Sequence, residues 1–332
     1  MNFTMNKVQQ GFTIVEVLIA LMIGLVIFAG VLSVFVGMKT TTTETSNYGE
    51  LQENGRFAIS LLSDDLLKQN FFGDYGGTFG SSNLIAIPGP AGNDCVGGGV
   101  NNATFPLATG QFRTLWGQTI TAANPMGCFT DARVSADANF RSDLIQIKRV
   151  IGSPVAAIAP ADAANHFLTT NITSGSLLTG AAGIPVMDNS RTWQYQHHVY
   201  YVREEAQGSD VVPVLMQGRL VSGSMVFRPI IDGIETIRFM YGVDSNGDGA
   251  VNAFISAGNM TAGFWNNAGG SRILAVKIFV LARSTLPDPK YENEATYQLG
   301  DLAVIVNDNY RRLLFTSTVT LYNASVDQWP RI

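Results

Sequence analysis

Residues 11–36 read GFTIVEVLIALMIGLVIFAGVLSVFV, and the architecture of the whole chain turns on this stretch. From Val17 to Val36 there is no charged side chain, and Ser33 is the only hydroxyl. At 1.5 Å per residue such a run makes a helix of about 30 Å, which matches the hydrocarbon thickness of a bilayer. A spanning helix is the expectation. Gly24, Gly30 and Gly37 weaken a helix in water, but in lipid small residues let a neighbouring helix approach closely.

The flanking residues separate the membrane readings. Ahead of the run lies MNFTMNKVQQG, polar with one positive charge at Lys7, and then Phe12, Thr13, Ile14, Val15 and the carboxylate of Glu16. A secretory signal also pairs a positive start with an apolar stretch, yet it is usually shorter and ends in a small-x-small cleavage site. No such site follows Val36. An acid heading an apolar helix costs on the order of 2–3 kcal/mol near mid-bilayer and less toward the interface, so Glu16 calls for a function. The plain alternative is a single-pass anchor whose glutamate reaches back to the interface.

Gly11-Phe12-Thr13-Ile14-Val15-Glu16 followed by the uncharged run resembles the processing and assembly signature of type IV prepilins and type II secretion pseudopilins. The resemblance implies that residues 1–11 are a leader and that a prepilin peptidase cuts after Gly11 and methylates the new amino group of Phe12. It also implies that Glu16 serves assembly. A buried carboxylate pairing with the Phe12 amine of a neighbouring subunit is physically sensible, because an unpaired buried charge is costly and a paired one specifies register.

Leu51, Gly55, Ala58, Leu62 and Leu66 recur at three- and four-residue steps, so residues 39–72 are expected to continue the helix and lay one apolar stripe on the head. Asp64 and Asp65 point about 100° apart and do not converge as catalytic acids; both are assigned to a solvated face. The segment Leu51–Gly73 (LQENGRFAISLLSDDLLKQNFFG) resembles the PilW family of minor pilins. Two further stretches, VKIFVLARS at 276–284 and YRRLLFT at 310–316, are similar to the same family.

The remainder, 73–332, reads as one β-rich head. A formal net charge of −5 with 14% charged residues supplies no basic excess, so direct nucleic-acid binding is not expected. Thirty-four glycines, many between Gly73 and Gly127, point to long Gly/Asn-rich loops. Strand-like composition at 143–150, 197–203, 234–243, 273–282 and 313–322 suggests an antiparallel sheet against the helix, an α+β fold. Cys95 and Cys128 flank a Gly/Asn/Pro stretch without metal-ligand spacing. In an exported protein they form a disulfide worth roughly 3 kcal/mol, two unpaired buried thiols being the alternative.

Asp244, Asn246, Asp248 and Asn252 occupy alternating positions of a calcium loop, with Gly249 at the turn. Ile255 stands where the bidentate glutamate belongs, and Asp232 or Glu235 is the nearest substitute. The same residues also favour a plain hairpin turn. His197 and His198 are neighbours on a strand and face opposite ways, His166 is distant in sequence, and no catalytic elbow, phosphate loop or zinc-protease pattern is present. Trp116, Trp193, Trp265 and Trp329 are expected in the core or at subunit contacts.

The resemblance implies a non-enzymatic minor pilin that helps to initiate a type IV pilus in a tip or priming complex. It would be anchored in the inner membrane with its head in the periplasm, and then displayed on the cell surface. Its partners would be the prepilin peptidase, other minor pilins and the major pilin, with no cofactor beyond calcium at 244–252. A type II secretion pseudopilin and a non-polymerising, calcium-dependent anchored adhesin are the alternatives.

Overall fold

The computed structural model describes residues 11–208 and 210–324; the leader residues 1–10, Lys7 among them, and Trp329 lie outside the described residues. Helix α1 runs without interruption from Ile14 to Leu67, joining the two segments that the sequence assigns to one helix. The chain divides between Glu50 and Leu51 into two compact units, so the last turns of α1 belong with the head. Beyond Leu67 the chain turns at Asn70, whose positive φ of 59° suits an asparagine and ends the helical path.

In the first unit, Ile14–Met38 is long and apolar enough to cross a membrane, with a mean hydropathy of 2.9, and none of it is buried. Leucine, isoleucine, valine and phenylalanine are exposed on every side of this segment, whereas a helix of a water-soluble domain would hide one stripe.

The second unit is built from two sheets, antiparallel except for the parallel pairing of the first strand with the fifth, and a hairpin. The larger sheet contains β1 (Leu84–Ala86), β2 (Leu115–Thr119), β3 (Asp143–Val150), β4 (His166–Thr170), β5 (Gly175–Thr179), β6 (Arg191–Gln207), β7 (Asp210–Val221) and β8 (Ser224–Asp232). The smaller one has the order β10 (Ala253–Ser256), β9 (Ile234–Asp244), β11 (Arg272–Arg283) and β14 (Arg312–Thr320). β12 (Thr296–Leu299) and β13 (Leu302–Ile305) pair as a hairpin, and α2 (Ala262–Trp265) is a single turn.

Strand β6, 17 residues long, is the spine. Tyr200 is opposite both Ile145 of β3 and Gln217 of β7, so those strands flank it on opposite edges. All five strands expected from the sequence are present. Two that it does not show clearly, β7 and β8, are interrupted by Pro213 and Pro229. Pro213 sits one residue before pairing with β8 begins, and Pro229 lies at the register shift of β8 opposite Met216. Both are places where the missing N–H removes no ladder bond. The β7–β8 turn places Ser222 and Gly223 at φ of 49° and 80°, the two successive positive angles of a type I′ hairpin.

The stripe expected on α1 is the stripe that is buried: Leu51, Gly55, Ala58, Leu62 and Leu66 all face the head core. A side-chain carbon at Gly55 would overlap the Phe315 ring of β14, so the glycine is what lets that strand lie against the helix. Just past the helix, Gln69 and Asn70 are tied to the far end of the described chain. Asn70 Nδ2 donates to Asn323 O at 2.8 Å, and Asn323 Nδ2 donates to Gln69 O at 3.0 Å.

Candidate functional site

At the N-terminal end of α1, the Thr13 hydroxyl accepts a hydrogen bond from Glu16 N at 3.3 Å, and the Thr13 carbonyl accepts from Glu16 N and Val17 N at 3.1 and 3.2 Å. Thr13 is therefore the helix N-cap, in a Thr-x-x-Glu sequence of capping-box type. The cap starts the helix two residues after the Gly11–Phe12 bond and leaves that bond in extended, exposed chain. Glu16 falls in the first helical turn, where a negative charge suits the helix dipole. Glu16 and Phe12 are both exposed, Phe12 to 82%. The motif is thus a presented peptide bond, a capped helix start and an acid, followed by an apolar surface with no covering.

A second assembly of functional groups joins α1 to the head, and here the expectation for Asp65 is corrected. Asp64 is exposed and pairs with Lys68 one turn on, but Asp65 is 3% exposed. Its Oδ1 accepts from Arg149 Nε at 2.7 Å, and its Oδ2 contacts His198 Nδ1 at 2.7 Å and accepts from Tyr200 Oη at 2.9 Å. Gln217 Nε2 in turn donates to Tyr200 Oη at 2.6 Å. Burial alone would raise the Asp65 carboxyl; the charges and hydrogen bonds of His198 and Arg149 outweigh it and hold the group well below the usual carboxylate range. The signal was in the spacing: Asp65 stands seven residues after Ala58 and three after Leu62, on the margin of the apolar stripe. An aspartate at that margin is tolerated because these partners meet it.

His197 and His198 do face opposite ways. His198 meets the helix through Asp65, while His197 contacts Thr104 Oγ1 at 2.9 Å beneath the loop that carries the cysteines. His166 lies under the same loop, with its ring 4.6 Å from that of Phe105. Cys95 and Cys128 are joined by a disulfide, 33 residues apart in sequence, and both are buried. Beside the bridge Phe129 stacks on Tyr201 of β6 with ring centres 3.9 Å apart, so the covalent link and an aromatic pair fix one end of the loop to the spine. Trp116, Trp193 and Trp265 are buried core residues.

The 244–252 segment is a turn capped by amides. Asp244 Oδ1 accepts from Asn246 N at 3.2 Å and Gly247 N at 2.7 Å, and Oδ2 accepts from Gly249 N at 2.8 Å. Burial opposes ionisation of Asp244, but these amides outweigh it and lower its pKa. Asn252 Oδ1 accepts from Ser245 N at 2.7 Å, and Asn246 Nδ2 donates to Asp248 Oδ2 at 3.0 Å. These bonds hold 244–252 as a tight turn, with Asp244, Asn252 and Asp248 all engaged within it. Glu235 does not complete the set: Arg312 grips it with two bonds of 2.6 and 3.0 Å and grips Asp308 with two of 2.7 Å. Asp232 offers the helix its backbone carbonyl, which accepts from Asn54 Nδ2 at 3.1 Å. Among the described residues, no group of three or more His, Cys, Asp and Glu side chains is placed to hold a metal ion.

A family model described as type IV pilus-assembly protein W matches residues 199–323, and one described as the prokaryotic N-terminal methylation motif matches residues 6–32. The first runs from the middle of β6 past β14, including Glu235 and Arg312; the second spans the Gly11–Glu16 motif and most of the apolar run. No curated protein and no solved structure matches the chain.

Proposed function

We infer the function of this chain from the premise that it is a type IV pilin of the PilW family, which its two family matches support. It acts as a minor pilin that helps to start a type IV pilus in the priming or tip complex, alongside other minor pilins and the major pilin. The prepilin peptidase cuts between Gly11 and Phe12 and methylates the Phe12 amine. The chain waits in the inner membrane on Ile14–Met38 with its head in the periplasm. Assembly moves the helix from lipid into a bundle of like helices, where Glu16 pairs with the terminal amine of a neighbour.

The observation that carries this reading is the conjunction at the N-terminus. The Gly11–Phe12 bond is exposed just ahead of the Thr13 cap, an acid sits one turn in, and the 25-residue span Ile14–Met38 that contains it is otherwise uncharged and exposed on every side. Lipid and a helix bundle are the two surroundings that satisfy such a surface, and the chain would occupy them in turn. The β-rich head supplies structure for contacts rather than a reactive centre.

The test is intact mass and N-terminal analysis of the protein from cells with and without an active prepilin peptidase. A chain that begins at N-methylated Phe12 only when the peptidase is active supports the reading. An uncut leader in both strains, or a cut beyond Val36, overturns it.

A further inference from the structure

The face of β3 and β6 that lies under the disulfide loop carries a layer of buried polar groups. Lys148 of β3 is fully buried, and its Nζ donates to the backbone carbonyls of Asn102 and Arg113 at 2.9 and 2.8 Å. Directly opposite on β6 is His197, also fully buried. Thr104 of the loop joins β6 to Asp94: its hydroxyl lies 2.6 Å from Asp94 Oδ1 and 2.9 Å from His197 Nδ1. Tyr195 Oη donates to the Thr104 carbonyl at 2.6 Å.

These contacts determine where the imidazole proton sits. A hydroxyl has one hydrogen, and the Asp94 carboxylate only accepts, so Thr104 gives its hydrogen to Asp94. Thr104 Oγ1 must then accept from His197 Nδ1–H, which leaves Nε2 as the nitrogen with the lone pair. That Nε2 is buried and has no hydrogen-bond partner. Protonating it would create a cation with a donor that has nothing to bond.

The groups around the ring decide the sign. The ammonium of Lys148 faces it from β3, and His198 follows it in β6, on the side of Arg149 and Asp65. The attraction of Asp94 reaches it only through Thr104. Burial first, and then Lys148 and His198, hold the His197 pKa well below 6.5.

We propose that His197 is an acid-operated latch whose protonation at Nε2 releases the Asp94–Thr114 segment from the β3–β6 face while the helix seam at Asp65 stays closed. The disulfide at Cys95 and the pairing of β2 with β3 from Leu115 onward hold both ends of the segment, so the release is local and reversible. Asp65 sits on the other face of β6 and gives way only at lower pH, where its own carboxyl takes a proton.

Linkage sets the size of the effect. The open segment binds a proton with an ordinary histidine pKa near 6.5 and the closed one does not, so the opening constant rises about tenfold per pH unit below about pH 6.5. The experiment is hydrogen exchange with mass spectrometry on the full chain in detergent micelles, corrected for intrinsic exchange rates. Peptides within 97–113 should open at that slope down to about pH 4.5, while those within 51–67 keep constant protection. In His197→Asn, whose amide replaces Nδ1–H without titrating, the loop should lose the histidine's share of that slope, and any slope left is the proton taken up by Lys148, whose pKa burial lowers. A flat wild-type profile, or the same slope in His197→Asn, overturns the proposal. Side-chain 15N spectra of the histidine-labelled wild type decide the case even if the variant does not fold. Neutral His197 with its proton on Nδ1 at neutral pH is required, and an Nε2–H tautomer or a charged ring refutes the latch.

Discussion

Asp65 in the last turns of the N-terminal helix and Arg149 in strand β3 meet as a buried ion pair, Nε to Oδ1 at 2.7 Å, and the contact ties the helix to the centre of the larger sheet. His198 and Tyr200 close around the same carboxylate. Removing one member of such a group strands the others without water.

Asp65→Ala should therefore destabilise the head by about 3–5 kcal/mol, read from tryptophan fluorescence during denaturant unfolding in micelles, because Trp116, Trp193 and Trp265 are buried. The pH dependence separates charge from packing. The folded pKa lies below the unfolded value of 3.8, so the contribution is complete above about pH 4 and is lost as pH falls through that range. Asp65→Asn should have a shallower loss of stability in acid than the wild type, and parallel curves would refute the assignment.

Gly55→Leu should cost about 1–3 kcal/mol, since the added side chain meets the Phe315 ring directly. Phe315→Ala opens that space. The double variant should therefore be more stable than the sum of the single effects predicts, and simple additivity would mean that the two residues do not share a contact.

Arg312→Ala leaves Glu235, 2% exposed, without its bidentate partner and frees Asp308 as well. A loss of about 3–5 kcal/mol is expected, by the same unfolding measurement. Replacing Glu235 with glutamine in that background should recover part of it, because Arg283 at 3.6 Å is then the one guanidinium left to offset the buried charge among the described ion pairs.

Replacing Cys95 and Cys128 together by serine should lower stability by roughly 3 kcal/mol in the chain-entropy model. The loss should be accompanied by faster proteolysis within the loop, because the Cys95 end is then held only by non-covalent contacts. Equal protease sensitivity in both forms would show that the buried layer around Lys148 fixes the loop by itself.

Glu16→Ala should leave cleavage after Gly11 intact and abolish incorporation into pili, measured as the amount of this chain in sheared filaments. Normal incorporation would refute the pairing of Glu16 with a neighbour's amine.

Much of this could be read in the sequence because it follows from periodicity. Leu51, Ala58, Leu62 and Leu66 repeat at helical spacing, and the strand at 143–150 appears with the limits its composition suggests. The cysteine pair also closed as expected. What escaped was decided by tertiary partners. Asp65 reads as solvent-facing by type, and only the arrival of Arg149, His198 and Tyr200 makes its burial tolerable. Pro213 and Pro229 disguise β7 and β8, since whether a proline breaks a strand depends on which edge is paired at that residue. The oxygens of Asp244 fit a cation and a turn equally well by sequence, and only the fold shows which amides, those of Asn246, Gly247 and Gly249, they accept from.

The knot of amides between Asn323 and the Gln69–Asn70 corner has a consequence for biosynthesis. A ribosome delivers the helix first and Asn323 some 250 residues later, with Phe315 of β14 barely ahead of it. Gly55 and Phe315 are 260 residues apart, so the seam that buries the helix stripe cannot close until β14 has been translated. During that interval, the apolar stripe from Leu51 to Leu66 is bare in every nascent chain. A stop codon placed just before β14 should therefore yield a chain whose helix is complete and whose head never seals, a substrate for proteases rather than a shorter pilin.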